Sequence, residues 1–362
     1  MQELIAAIHL YSIYSGGDNR HAQLLNLALQ AGMDLLITAD QNVLVQGFDG
    51  YAQQDNKTCL LLAGEEIFAR HPCSSSTRLL VLDAGRDMAP FASQPQQVIK
   101  LTAESGGLSI MTQPMPRKRS RSGPPQLPAD MPRGFSGMEL WNSMNELQSR
   151  SKNRLLAHFF TWLPRLGRSG PDPELCKLWD QLHAAGQQIT AIAGSGLGSP
   201  QQYTKTPARL KNYLLHNITN HLLVPRPLGG DLESDRRMVF EALRQGHTFI
   251  ACDDLAPGQG FRFHAQGRDQ NAGIGDELLL RDSVTFQVRL PQPAKCLLFR
   301  DGELIHTWHN KDVCVHSTNQ PGSYRVEAHL PYLGQETTWI ISNPIRVRPY
   351  VPSPLSDQLY TA

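Results

Sequence analysis

Histidine and carboxylate side chains follow three short apolar runs in the N-terminal part of the chain. They are His9 in AIHLYS, Asp40 in LITADQN and Glu66 in LAGEEI. Imidazole and carboxylate groups are side chains with which proteins hold divalent metal ions, and such ions can activate a water molecule and clamp phosphoryl oxygens. These residue types point to hydrolytic metal chemistry if the fold brings them to one place.

The apolar runs alternate with helical patterns in the order expected of β/α units. Residues 4–11 and 34–39 are predicted strands, and residues 20–30 between them carry leucines at helical spacing before Gly32. Alternation of this kind predicts a parallel sheet with its site at the carboxyl ends of the strands. His9, Asp40 and Glu66 fall at those ends.

A basic run lies in a segment of different composition. Residues 114–132 are rich in proline and predict a surface loop. This loop contains Arg117, Lys118, Arg119 and Arg121. The run is either a solvated part of the loop or, next to the mouth of the site, a place that attracts an anion or a nucleic-acid backbone. Because the net charge of the chain is +1, any electrostatic recognition must be local.

The pattern of apolar and turn-forming residues changes near residue 261. Alternating strands separated by Asp-Gly, Pro-Gly and Pro indicate an antiparallel β-sandwich, with a hairpin turn at Asp301-Gly302. We therefore predict a first domain over residues 1–254, a sandwich-like domain over 255–350 and a tail over 351–362. No signal peptide or apolar stretch of membrane-spanning length occurs, so we expect a soluble cytoplasmic protein without a membrane partner.

Several motifs occur in a fixed order along nearly the whole chain. They are AIHLYSIYSGGDN, LITADQN, LAGEEI, LSIMTQP, ELWN, GPDPELCKLWDQLHAAG and AIAGSGLGS. In this order they resemble the motifs of the PHP (polymerase and histidinol phosphatase) family, and the later segments look like its carbaryl-hydrolase-like branch with a C-terminal β-domain. The resemblance implies an α/β fold, a distorted (β/α)7 barrel of the TIM-like kind, followed by the sandwich-like domain.

The resemblance also implies which positions held metal ligands. His9, Asp40 and Glu66 keep a ligand residue type and are the vestigial metal residues. The remaining positions hold residues that are poor ligands or repel a cation: Tyr11, Gln41, Arg78, Gln113, Gly196 and Gly198. Arg78 would place a positive charge where a cation should lie, so it either pairs with Glu66 or Asp40 or binds an anion together with the basic run.

Two functions follow from this pattern. The first is a catalytically inactive pseudoenzyme with no cofactor, which binds an anionic small molecule or a protein partner, and nucleic acid only through the basic loop. The second is a metal-dependent hydrolase of phosphate, ester or amide bonds with a reduced site on His9, Asp40 and Glu66. That site would hold manganese, zinc or iron at reduced stoichiometry.

Overall fold

The computed structural model describes residues 1–69, 77–112, 131–149, 170–199 and 206–350. The helices in these ranges are α1 (His21–Gln30), α2 (Pro95–Glu104), α3 (Ser143–Ser149), α4 (Pro173–Ala184), α5 (Ala208–His216) and α6 (Leu232–Gln245). The strands of the N-terminal part are β1 (Gln2–Leu10), β2 (Leu35–Gln41), β3 (Gly50–Gln54), β4 (Lys57–Phe68), β5 (Arg78–Leu82), β6 (Leu108–Thr112), β7 (Gly137–Asn142), β8 (Thr190–Gly194), β9 (Thr219–Val224) and β10 (Thr248–Ala251). Those of the C-terminal part are β11 (Arg262–Gln266), β12 (Asn271–Gly273), β13 (Glu277–Leu280), β14 (Val284–Arg300), β15 (Glu303–Thr318), β16 (Gly322–Tyr332), β17 (Gln335–Ser342) and β18 (Ile345–Pro349).

A large mixed sheet runs through the N-terminal part. Its strand order is β8-β7-β6-β5-β4-β2-β1-β9-β10. The pairs on either side of β2 are parallel, and all but the last residue of β2 is buried, as is typical inside a parallel sheet. The pairs of β5 with β4 and β6 are antiparallel, as are those of β9 with β1 and β10. The fold is therefore mixed α/β with a large sheet.

The predicted distorted (β/α)7 barrel is not confirmed. Among the described residues no ladder joins β8 to β1, β9 or β10, so the sheet is open at β8. The side-chain amide of Asn220 bonds the backbone N–H and C=O of Ala193 at 2.7 and 2.8 Å, and Asn343 does the same at Ala191. These amides satisfy backbone groups that a neighbouring strand would otherwise pair. The regular parallel order also fails at β5, which pairs antiparallel with both β4 and β6.

The inner face of the sheet separates apolar from polar residues along each strand. On β4, Leu60 and Leu62 lie in an aliphatic core, which Val239 and Phe240 of α6 also enter. Further along the same face of β4, Glu66 lies at the carboxyl end. The apolar core thus occupies one end of the sheet and leaves the carboxyl ends to polar side chains.

The C-terminal part continues the same hydrogen-bonded sheet, since β10 pairs with β17. Its strands pair antiparallel, as the sequence predicts, except β13 and β18, which are parallel. The predicted turn at Asp301-Gly302 is confirmed: it joins β14 to β15, and both residues have positive φ. The boundary at residues 254 and 255 stays a prediction, and the tail lies outside the described residues.

Some elements escaped sequence analysis. Strands β3 and β9 and helix α5 were not expected, whereas the helix predicted over residues 20–30 agrees with the bounds of α1 to within one residue. Of the described helices, none combines the length and apolar character that crossing a bilayer requires.

Candidate functional site

His9 lies at an irregularity near the carboxyl end of β1. The register between β1 and β2 shifts between Ile8 and Leu10, and His9 has a φ of 64°. Non-glycine residues seldom adopt this left-handed conformation. Bulges turn side chains toward sites at strand ends, and here the imidazole, only 2% exposed, faces the carboxyl groups of Glu66 and Glu139.

Each ring nitrogen of His9 has an oxygen neighbour. Nδ1 lies 2.5 Å from Oε2 of Glu139 on β7, and Asn142 donates to the other oxygen of Glu139 at 3.0 Å. Nε2 lies 2.7 Å from the hydroxyl of Tyr11 and 3.6 Å from Oε1 of Glu66. The imidazole is thus held between two carboxyl groups from strands β4 and β7.

Glu66 is fully buried and accepts hydrogen bonds at both oxygens. Its Oε2 accepts from the Tyr11 hydroxyl at 3.1 Å, from Nε2 of Gln41 at 3.1 Å and from Nη1 of Arg78 at 3.0 Å. Its Oε1 accepts from the Thr112 hydroxyl at 3.3 Å. The structure therefore places Tyr11, Gln41 and Arg78, three of the substituted positions, around one carboxylate.

Arg78 is the charged partner of Glu66 at the edge of this cluster. Its Cζ lies 4.0 Å from the centroid of the Phe68 ring, a cation–π geometry that holds the guanidinium plane in place. The side chain is 23% exposed. Its Nε and Nη2 groups donate to no described residue, and both are N–H donors of the kind that bind anions.

The charges in the cluster stabilise one another. Burial lowers the pKa of His9, but the carboxylates of Glu139 and Glu66 outweigh it and raise the pKa to about 10. Burial likewise raises the pKa of Glu66, but His9, Arg78 and the Tyr11 hydroxyl together lower it to about 2. Burial and the two carboxylates keep the pKa of Tyr11 well above its ordinary value. At neutral pH the cluster therefore contains an imidazolium, a carboxylate and a neutral phenol.

Asp40 belongs to a different set of contacts. Its Oδ1 accepts from the backbone N–H of Ser12 at 2.8 Å and from the Ser15 hydroxyl, and its Oδ2 accepts from the Ser12 hydroxyl at 2.6 Å. Nε2 of His21 lies 3.6 Å from Oδ2. Asp40 thus anchors the turn after β1, and no described hydrogen bond or ion pair joins it to His9 or Glu66.

Two glycines, at positions where the resemblance implies metal ligands, are packed against the cluster. Gly196 and Gly198 have φ values of 67° and 78°. A Cβ at Gly196 would lie 2.5 Å from Cβ of Met144, and one at Gly198 would collide with the carbonyl oxygen of Tyr11. The backbone N–H of Tyr11 bonds the carbonyl oxygen of Leu197 at 2.8 Å. The loop after β8 therefore closes onto the strand that carries His9 and leaves no room there for larger side chains.

A small cleft opens onto the cluster. It is lined by His9, Tyr11, Gln41, Arg78, Asn142, Met144, Asn145, Gly196 and Ser199. The open space in it is about 10 Å³, which is room for about one water molecule. A larger ligand would have to contact the cleft from its mouth, where Arg78 is exposed.

The described residues do not fit the multinuclear metal site that the resemblance implies. No group of three or more His, Cys, Asp or Glu in the described ranges has an arrangement that could hold an ion. Arg78 occupies Oε2 of Glu66, Asp40 is turned toward the serines, and the glycine loop is closed. A metal site here would require these contacts to be broken.

The sequence analysis predicted some residues of this cluster and missed others. Gln113 and the basic run of Arg117, Lys118, Arg119 and Arg121 lie outside the described residues. Glu139 was missed as the partner of His9, although it stands in the ELWN motif, and Thr112 was missed as well. The signal for Glu139 was its place in ELWN, one of the ordered motifs that also include those of His9, Asp40 and Glu66.

Two solved structures that are similar to this chain are described as metal-dependent phosphoesterases. No family model and no curated protein matches the chain. One similar structure is described as a two-domain protein containing a predicted PHP-like metal-dependent phosphoesterase from Bacteroides vulgatus, with 14% identity, a TM-score of 0.41 and coverage of 94% of this chain and 95% of that one. Another is described as a candidate metal-dependent phosphoesterase from Bifidobacterium adolescentis, with 14% identity, a TM-score of 0.30 and coverage of 58% and 95%.

Proposed function

We propose that the cleft around Glu66 binds an anionic ligand without a metal ion, in a PHP-like protein that no longer hydrolyses phosphate esters. The observation that carries this proposal is the position of Arg78, whose Nη1 lies 3.0 Å from the buried carboxylate of Glu66. A fixed guanidinium there supplies the positive charge that a bound cation would supply, and it repels a second cation.

The free groups of Arg78 indicate what the ligand would be. A guanidinium with unused N–H groups binds carboxylate or phosphate oxygens through charge-assisted hydrogen bonds. Because Arg78 is held by Glu66 and by the ring of Phe68, little side-chain entropy is lost when an anion binds. The ligand is an anionic small molecule, or an acidic group on a protein partner that presents the same chemistry at the mouth of the cleft.

Metal analysis and ligand binding test this proposal together. The purified protein should contain no stoichiometric manganese, zinc or iron and should not turn over phosphomonoester or phosphodiester substrates in added manganese or zinc. Inorganic phosphate should bind the unchanged chain about tenfold more tightly than the Arg78→Ala variant. The exposed Arg237→Ala variant is the matched control and should bind as the unchanged chain does.

A second variant distinguishes a loss of binding contacts from misfolding of the protein. Arg78→Lys keeps the charge and loses the planar fork, so it should bind phosphate with intermediate affinity. Equal affinity in all three arginine variants would overturn the binding proposal. Stoichiometric metal, with turnover that Asp40→Ala abolishes, would overturn the proposal that the site works without metal.

The second candidate function is a metal-dependent phosphoesterase, the activity named for the two similar structures. His9 favours it, because its imidazole lies within 3.6 Å of the carboxyl groups of both Glu66 and Glu139. This function requires Arg78 to leave Glu66 when an ion binds. Phenylglyoxal should then modify Arg78 faster in the manganese-loaded protein than in the metal-free protein, because the guanidinium would have left Glu66.

A further inference from the structure

Strand β15 lies at an edge of the C-terminal sheet. It runs for 16 residues, from Glu303 to Thr318. Of the strands that the structure describes, only β14 pairs with it. The backbone N–H and C=O groups on its other side therefore have no strand partner within the described ranges. An edge of this kind can pair with a strand of another chain.

Two exposed valines lie on this edge strand. Val313 is 59% exposed and Val315 is 53% exposed, whereas Cys314 between them is only 1% exposed. Successive side chains of a strand point to opposite faces, so both valines lie on the outer face while Cys314 enters the apolar core. Edges that stay unpaired usually carry lysine or proline, and residues 312–316, DVCVH, contain neither. The composition of this segment therefore favours pairing.

The shape of β15 limits which part of it can accept a further strand. Asn310 has a φ of 52°, and the register with β14 shifts between the partners of Lys311 and Val313. From Val313 to Thr318 the pairing with β14 is regular. The regular segment after the irregularity is therefore the part that can extend the sheet.

Antiparallel geometry restricts how a second copy of β15 can pair with the first. In a strand, the N–H and C=O groups of alternate residues point to the same side. Two residues that lie opposite each other across a two-fold axis must therefore both have odd numbers or both have even numbers. The axis consequently passes through a residue and not between two residues.

An axis at Cys314 matches the side chains in both copies. Val313 then lies opposite Val315 of the second copy, and Val315 lies opposite Val313 of the second copy. Asp312 lies opposite His316 of the second copy, so a carboxylate that accepts hydrogen bonds faces an imidazole that can donate one. Cross-strand pairs of β-branched residues and of acceptor with donor stabilise a sheet.

Neighbouring registers match less well. An axis at Val313 would place Lys311 opposite Val315, and an axis at Asp312 would place two carboxylates opposite each other. An axis at Val315 would place Val313 opposite Ser317. Only the axis at Cys314 pairs both exposed valines with valines.

We propose that two copies of the chain pair through β15 in an antiparallel arrangement whose two-fold axis passes through Cys314. The partner is a second copy, because the segment DVCVH is complementary to itself when it is reversed. The paired segment is short, so the dissociation constant lies in the micromolar range. The interface belongs to the C-terminal part, and it forms whether or not the cleft around Glu66 binds an anion.

Sedimentation velocity of the full chain tests the dimer. The sedimentation coefficient should rise from the monomer value toward the dimer value between about 1 and 200 µM protein. Val315→Lys should weaken association at least about tenfold, because it places a lysine opposite a valine, and the exposed position tolerates the change in the folded chain. The matched control is Leu333→Lys, at another exposed apolar residue, which should associate as the unchanged chain does.

Two results of this experiment would overturn the proposal. A chain that stays monomeric up to about 200 µM would mean that another segment or a different protein covers the edge. Association that Val315→Lys leaves intact, or that Leu333→Lys weakens equally, would place the interface elsewhere.

Disulfide trapping tests the register and does not depend on a destabilising variant. Directly opposite residues of an antiparallel pair have Cα atoms close enough for a disulfide, whereas diagonal neighbours lie too far apart. With oxidised glutathione as the oxidant, a mixture of the Val313→Cys and Val315→Cys variants should form more intermolecular disulfide than either variant alone. The native cysteines are present in every sample and cancel in this comparison. A mixture that cross-links no better than the separate variants would contradict the axis at Cys314.

Discussion

Nη1 of Arg78 on β5 lies 3.0 Å from Oε2 of Glu66 on β4, across an antiparallel pair of strands. The two residues stand at positions where the family resemblance implies metal ligands. The pair places a positive charge of the chain directly beside the buried carboxylate. A change at either residue should therefore alter both the free energy of unfolding and the charge in the cleft.

We expect the pair to show coupling in a double-mutant cycle. Arg78→Met removes the only described guanidinium beside Glu66 and should lower the free energy of unfolding by about 1–3 kcal/mol, because a buried carboxylate loses a charged donor. The double variant with Glu66→Gln should cost less than the sum of the single changes. Urea denaturation measures all four proteins, and additivity within about 0.5 kcal/mol would contradict the coupling.

The closed glycine loop makes a second prediction. Gly198→Ala should destabilise the chain by about 1–3 kcal/mol, because the new Cβ meets the Tyr11 carbonyl and φ is 78°. Gly186→Ala is the matched control: its φ is 82°, but no atom lies within 4 Å of the added Cβ. Thermal unfolding of the two variants separates collision from backbone strain. Equal losses would show that the loop can yield at Gly198.

A buried ion pair fastens α4 to the C-terminal strands. Arg325 on β16 donates to Asp180 through Nε at 2.6 Å and Nη2 at 2.8 Å, and its side chain is 5% exposed. Arg325→Met should lower the free energy of unfolding by about 3–5 kcal/mol, because it leaves Asp180 buried and unpaired. The exposed Arg348→Met, whose partner is Glu277, should cost less than about 1 kcal/mol. Chemical denaturation gives both values, and a small loss at Arg325 would contradict its role.

The stability of the chain should depend on pH through His221. Burial lowers its pKa, but Asp253 and Glu3 on either side raise it from 6.5 to about 9. Because the folded-state pKa lies above the unfolded value, this contribution is complete below about pH 6.5 and is lost as the pH rises through 9.

The comparison with His221→Gln isolates this effect. The difference in free energy of unfolding between the two proteins should be largest near pH 6 and should shrink by about 2–3 kcal/mol toward pH 9. Denaturant titrations across this range measure it. A difference that is constant with pH would mean that folding does not change the pKa of His221.

Local chemistry made parts of the fold predictable from sequence. The hairpin turn at Asp301-Gly302 follows from residues that tolerate positive φ. Helix α4 begins at Pro173 after Asp172, whose side chain accepts from the N–H of Glu174 at 3.0 Å, and its end is followed by Gly186. Each of these signals depends only on neighbours in the chain.

The site itself was decided by contacts between distant residues. His9 and Glu139 are 130 positions apart and meet because β1 and β7 bring their carboxyl ends together. The bulge at His9, the turn of Asp40 toward the serines and the open edge at β8 depend on strand register and pairing order. A period of two or 3.6 residues carries no information on which strands will pair. The sequence alone therefore determined the residue types available at the strand ends, and the tertiary structure decided that Arg78 would pair with Glu66 and not with Asp40.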